Sequence, residues 1–252
     1  DQQTTHPKPM DSKDGVVAPC ERCIIVPGNG CTNARKSNWY GRAQEALQES
    51  GLFKEVIVEN MPDPHVARES IWLPFLRKLG ANEDAVLIGH SSGAEATMRL
   101  LETQKLRGAV LVSACHTDLG DENERASGYY SRPWEWSTIS ENAGFLLQWH
   151  SLDDPFIPIS EARHVAEHLG AKCEYIEHER SSHFFKWDVF GEELLDMLAM
   201  KLKPSENEVV EGPSPLCDGL GLSGSVEQEE RQVELSCTFF SQKLSLSLSL
   251  LF

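Results

Sequence analysis

The sequence predicts an α/β fold: a mainly parallel six-stranded sheet between two layers of helices, three layers in all. Two observations predict it. Between residues 22 and 203, short apolar runs alternate with amphipathic segments in a repeated β-α-β pattern. Such repeats demand parallel strands joined by crossovers, whose helices cover both faces of the sheet. The second observation is size. A chain of 252 residues, 40% hydrophobic, suffices for one domain with a sizeable core.

Taken in order, "CIIVPGNG" is a buried strand with its turn, and "NWYGRAQEALQES" a helix. "FKEVIVENM" is the second strand, and "PHVARESIWLPFLRKLG" is helical over part of its length, with Pro74 inside it. "AVLIGH" and "GAVLVSAC" are the third and fourth strands, with the helix "SGAEATMRLLETQ" between them. A long polar and aromatic connection follows, residues 116–144, helical in its later part. "FLLQWHS", "ISEARHVAEHLG" and "CEYIEHE" add strand, helix and strand. A final helix from about 185 to 202 carries Phe190, Leu194, Leu198 and Leu202 on one face and stops at Pro204.

The two ends read differently. Residues 1–19 form a polar extension that lacks the apolar stretch of a signal peptide. Residues 205–252 hold eight acidic and two basic residues, clusters of Gly, Ser and Pro, and finally "KLSLSLSLLF". Leu/Ser alternation suits an edge strand, but a CT-repeat in nucleic acid also translates to it. The tail is therefore read as disordered or non-native sequence outside the domain of residues 20–204.

The formal net charge of −16 disfavours nucleic acid and anionic membranes as partners, since both select basic surfaces. No apolar run approaches the roughly 18 residues of a membrane-spanning helix. Seven cysteines, an odd number in a chain too large to need disulfides, suit a reducing compartment. The expectation is a soluble intracellular protein of the cytoplasm, with the nucleus left open. Cys20-x-x-Cys23 has metal or redox spacing, but no second pair follows at zinc-ribbon distance. His164 and His168 fall opposite the apolar face of Ala162, Val165, Ala166 and Leu169, on the solvated side of their helix. Neither pair predicts a metal, and no cofactor is expected.

Chemistry concentrates at "VLIGHSSGAEATM", residues 86–98. By accident alone, G-x-S-x-G turns up in a chain of this length roughly one time in ten. Its context is what counts: strand, sharp turn, helix, with Gly89 and Gly93 letting the turn push the Ser91 hydroxyl above the sheet edge. A serine hydroxyl needs a base within hydrogen-bond reach, and the base needs a carboxylate to fix its tautomer. All three must stand at the C-terminal ends of strands, in the order Ser, acid, His. "LDDPFIP" after the fifth strand offers Asp154, with Asp153 in reserve; "RSSHFF" after the sixth offers His183, and His178 inside the strand is the weaker candidate. Oxyanion donors are expected from the N–H of Ser92 at a helix start and of Asn29 in "PGNG". Tyr129, Tyr130, Trp134 and Trp136 either face Ser91 as an apolar substrate pocket or pack the long connection onto the sheet.

Several stretches are distinctive: "VPGNG", "NMPDP", "ARESIWLPF", "GHSSGA", "LVSA", "DLGDENERASGYYSRPWEW" and "DDPFIP". Over about residues 20 to 203 the chain resembles the retinoblastoma-binding protein nine family, small serine hydrolases of the α/β-hydrolase superfamily. The resemblance implies a single-domain α/β-hydrolase with nucleophile Ser91, acid Asp154 and base His183. It implies hydrolysis of small ester or amide substrates without metal or cofactor, and leaves the physiological substrate open. It also points to an L-x-C-x-E segment for binding the retinoblastoma protein. Here that stretch is Leu79-Gly80-Ala81-Asn82-Glu83, with alanine in place of cysteine, which counts against binding by that route. The expected function is therefore a serine hydrolase working through an acyl-enzyme. The rivals are an interaction protein on a hydrolase fold with a silent triad, and acyl transfer to an acceptor other than water.

Overall fold

Six strands supply the frame: β1 (Cys20–Val26), β2 (Phe53–Val58), β3 (Ala85–His90), β4 (Gly108–Val112), β5 (Leu146–Ser151) and β6 (Cys173–His178). They pair in the order β2-β1-β3-β4-β5-β6, and every pairing is parallel. The computed structural model describes residues 19–203. The polar extension and the acidic Leu/Ser tail expected at the two ends lie outside the described residues.

All of β3, β4 and β5 is buried, and period-two alternation divides their side chains between two cores. On one face Ile25, Val86, Ile88, Val110 and Val112 pack against α1 (Tyr40–Glu49) and α7 (Gly191–Leu202). On the other, Ile24, Val26, Leu87, Ala109 and Leu111 pack against α2 (Glu69–Lys78) and α3 (Ser92–Leu101). That core also takes Ile139 of α5 (Trp136–Asn142) and Val165 and Leu169 of α6 (Ile159–Leu169). This is the expected three-layer fold. The chain runs out to β2 and then returns past β1 to β3, so the strand order reverses between β1 and β3. Open α/β sheets form a crevice at such a point, beyond the C-terminal strand ends.

Two elements differ from the expectation. The connection between β4 and β5 holds an additional helix, α4 (Glu122–Ser127), besides α5. Its apolar content is low, and capping defines it: Asp121 accepts the N–H groups of Asn123 and Glu124, and Gly128 ends it at φ 89°. The final helix starts at Gly191 rather than near 185, after a 3-10 turn at Trp187–Val189. Gly191 is needed there, because a Cβ would lie 2.2 Å from the Trp187 ring. The apolar face of Phe190, Leu194, Leu198 and Leu202 is buried as expected. Among the described residues, no helix is long and apolar enough to cross a membrane.

Candidate active site

Ser91 occupies the turn between β3 and α3 with φ 53° and ψ −127°. Non-glycine residues hold such a backbone only when their surroundings force it, at about 1–3 kcal/mol. The flanking glycines show what forces it. A Cβ on Gly89 would lie 2.3 Å from Gly93 O, and one on Gly93 would lie 2.2 Å from Val26 O. Helix and strand therefore approach too closely for side chains, and the hydroxyl is turned outward over the sheet.

His183 lies in the loop after β6, between Ser182 (φ 51°) and Phe184 (φ 48°). Its Nδ1 donates to Asp154 Oδ2 at 2.8 Å, which leaves Nε2 as the free ring nitrogen. Asp154 is held from its other side, where Oδ1 accepts the N–H groups of Phe156 at 2.9 Å and Ile157 at 3.1 Å. Burial alone would raise the Asp154 carboxyl, but His183 and these N–H donors outweigh it and hold the group below the ordinary range. Asp153 serves the backbone instead, accepting Ser151 Oγ at 2.6 Å and Ser182 N–H at 2.7 Å. His178 turns away, to Ser181 Oγ and Glu193.

Ser91 and His183 line one cavity of about 630 Å³. Ser91 Oγ makes no hydrogen bond to a described residue, so the cavity joins the two groups rather than a direct contact. Ligand-free hydrolase sites are often this loose. Ser92 and Asn29 line the same cavity, and neither backbone N–H is taken by an acceptor among the described residues. The Asn29 side chain donates to Glu124 Oε1 at 2.6 Å, which ties its loop to α4.

Of the four aromatics of the long connection, only Tyr130 lines the cavity. The expectation for Tyr129, Trp134 and Trp136 is corrected, and Arg99 is the reason. This fully buried side chain of α3 donates to Tyr129 O at 2.8 Å, Arg132 O at 2.7 Å and Pro133 O at 3.0 Å. It also pairs with Glu102, and its guanidinium lies 3.7 Å from the Trp134 ring centroid. Trp136 stacks on Trp134. These rings therefore pack the connection onto α3.

Residues that sequence reasoning missed take their place. Phe156 and Phe185, 61% and 40% exposed, flank the His183 ring at 5.1 and 5.5 Å and form an aromatic rim. Deeper in, Glu95 Oε1 accepts Cys115 N–H at 2.8 Å. Burial pushes the Glu95 carboxyl well above its ordinary range, and that of Glu124 upward as well. "SSHFF" and "DDPFIP" placed both phenylalanines at strand ends, which was the available signal. Nothing in the spacing of Glu95 marked it.

The remaining motifs lie elsewhere. Cys20 and Cys23 are free thiols on β1. His164 and His168 stack on one another at 3.9 Å, and His164 stacks on His116 at 3.7 Å.

A parallel sheet with its serine raised at the strand-helix turn beside a histidine–carboxylate pair belongs to the α/β-hydrolase class. The Serine hydrolase family matches residues 23–192. The chain is 49% identical over 152 residues to serine hydrolase RBBP9 of Rattus norvegicus, covering 60% of this chain and 81% of that protein. It is 25% identical over 168 residues to the putative hydrolase YdeN of Bacillus subtilis, covering 64% and 86%. The solved structure of the B. subtilis ydeN product superposes with a TM-score of 0.60 at 24% identity, over 72% of this chain and 98% of that one. Est1E from Butyrivibrio proteoclasticus does so at 0.56 and 13% identity, over 73% and 89%. The chain belongs to the serine hydrolase family, and it is a hydrolase.

Proposed function

We propose that the chain hydrolyses a small ester or amide through Ser91, His183 and Asp154. Ser91 attacks the carbonyl carbon while His183 Nε2 takes its proton, and Asp154 fixes the imidazole tautomer and stabilises the imidazolium. The N–H groups of Ser92 and Asn29 hold the oxyanion, the former helped by the dipole of α3. His183 then protonates the leaving group, and water repeats the cycle on the acyl-enzyme. The observation that carries this reading is the 2.8 Å bond from His183 to Asp154, with the ring in the same cavity as the strained Ser91.

Substrate preference follows from the walls. An aromatic rim at Phe156 and Phe185 favours an apolar or aromatic group near the mouth. Deeper in, burial shifts the Glu95 and Glu124 carboxyls toward their neutral forms, so that wall suits an uncharged acyl group. The free thiols of all five described cysteines support a reducing compartment. Binding of the retinoblastoma protein finds no support at Leu79–Glu83, where Ala81 is buried in the α2 core. The test is covalent labelling with a fluorophosphonate. Wild type should take up one equivalent and Ser91→Ala none; equal labelling of the two would remove Ser91 as nucleophile.

A further inference from the structure

Three buried residues outside the proposed triad, Gly28, Tyr40 and His90, form one hydrogen-bonded chain across the site, joined from the surface by Asn38. Tyr40, at the start of α1, accepts from Gly28 N–H at 3.0 Å and from Asn38 Nδ2 at 3.1 Å. Its hydroxyl lies 2.6 Å from His90 Nδ1, and His90 Nε2 lies 2.9 Å from His183 O. The direction of every proton in this chain is determined. A backbone carbonyl only accepts, so His90 Nε2 carries the hydrogen. A neutral imidazole has one N–H, so Nδ1 accepts, and the Tyr40 hydroxyl must be its donor. That leaves the phenol lone pairs for Gly28 and Asn38, which supply the hydrogens.

The ends of the chain fall where the reaction needs accuracy. Gly28 precedes Asn29, and a Cβ on it would lie 3.2 Å from Ser91 Cβ. The His183 carbonyl lies between two residues at positive φ, Ser182 and Phe184, a loop that would relax without an anchor. The His90 ring also packs against the His183 ring, with centroids 4.8 Å apart.

We propose that Tyr40 and His90 are positioning residues: they brace the oxyanion loop at Gly28 and the base loop at His183 O to a common buried strut. This rests on the triad reading above. Neutrality of the strut is consistent with its burial. Desolvation, with the charge of His183 next, holds the His90 imidazole down to about 3. The groups facing His90 are Tyr40 from α1, His183 from the loop before α7 and Asp154 from the loop after β5. Tyr40, His90 and Asn38 line the cavity, yet the phenol and the imidazole are fully engaged in the strut.

The test measures kcat, KM and fluorophosphonate labelling rate on a 4-nitrophenyl ester-hydrolysing preparation of the full chain. His90→Phe keeps a buried ring but removes donor and acceptor. It should lower kcat and labelling rate by about 10²-fold while KM stays within about twofold, as misplacement of a catalytic group does. His90→Gln restores one donor and one acceptor and should recover at least about tenfold of that loss. Tyr40→Phe removes one oxygen without changing ring packing, and carries the test if His90→Phe fails to fold. It should lower kcat about tenfold at unchanged KM. Wild-type kcat in Tyr40→Phe, or equal losses in His90→Phe and His90→Gln, would overturn the strut. Ser91→Ala and His183→Ala serve as separate controls: full labelling in these would sink the triad reading itself.

Discussion

Asp154 Oδ2 and His183 Nδ1 meet at 2.8 Å across two neighbouring loops, whereas Asp153 is spent on Ser151 and Ser182. The two adjacent aspartates should therefore separate in function. Asp154→Asn should lose about 10⁴-fold in kcat, because an amide leaves the imidazole in the wrong tautomer. Asp153→Asn should stay within about tenfold of wild type and lose stability instead. The opposite ranking in ester turnover would move the acid to Asp153.

Ser91 holds φ 53°, a conformation that glycine adopts freely. Replacing an ordinary residue by glycine usually destabilises by reducing order in the unfolded chain's favour. Here Ser91→Gly should melt above Ser91→Ala, by about 1 kcal/mol of stability, while both lose labelling. Denaturant melts decide it; Ser91→Ala as the more stable protein would mean the turn is unstrained.

Glu95 has a folded-state affinity for its proton raised above that of the unfolded chain, chiefly by burial. A raised carboxyl contributes stability below the ordinary range, about pH 4.5, and loses it as pH climbs through the folded value. Glu95→Gln keeps an oxygen for Cys115 N–H without that loss. Its Tm advantage over wild type should grow from about pH 5 to about pH 8. A Tm difference independent of pH would show that Glu95 ionises freely.

His90 works in the other direction. Its folded value, about 3, lies below the ordinary 6.5, so its neutral burial stabilises fully above about pH 6.5. That contribution drains as pH falls toward 3, with a slope of up to about 1.4 kcal/mol per pH unit. His90→Gln should lack this part of the slope in urea titrations. Parallel stability profiles for the two proteins would contradict a neutral His90.

The aromatic rim and the aromatic clamp should respond differently to truncation. Phe156→Ala and Phe185→Ala should shift kcat/KM toward acetyl over aromatic esters by about 1–3 kcal/mol, with little change in Tm. Trp134→Ala should lower stability by about 1–3 kcal/mol, since the ring is half-buried, and leave the substrate ranking alone. A ranking change in Trp134→Ala would place that ring back at the substrate.

The inner strands were legible because sheet burial on both faces writes itself as unbroken apolar runs; "AVLIGH" matches β3 residue for residue. The order and strand-end placement of Ser91, Asp154 and His183 were legible for a related reason. A parallel sheet collects its loops at one edge, so position along the chain implies proximity in space. The aromatic connection was not, because its packing depends on one buried arginine thirty or more positions earlier. Arg99 has the spacing of a helix surface residue and gives no sign that three carbonyls converge on it. The Tyr40–His90 strut was equally hidden, since hydrogen bonds between distant loops leave no period in the sequence.

Arg99 also limits how this enzyme can diversify. The segment walling the cavity is bolted to α3, the helix that Ser91 precedes as its N-cap, so wall and Ser91 turn form one jaw. A longer segment grafted in its place must bring its own carbonyls to the guanidinium. Otherwise the buried guanidinium keeps Glu102 but loses its carbonyl partners, at about 1.5–3 kcal/mol for each such charged hydrogen bond. New substrate ranges should therefore arise at the jaw's exposed tip, from Leu119 to Asn123, where residues can change without disturbing the hinge pin.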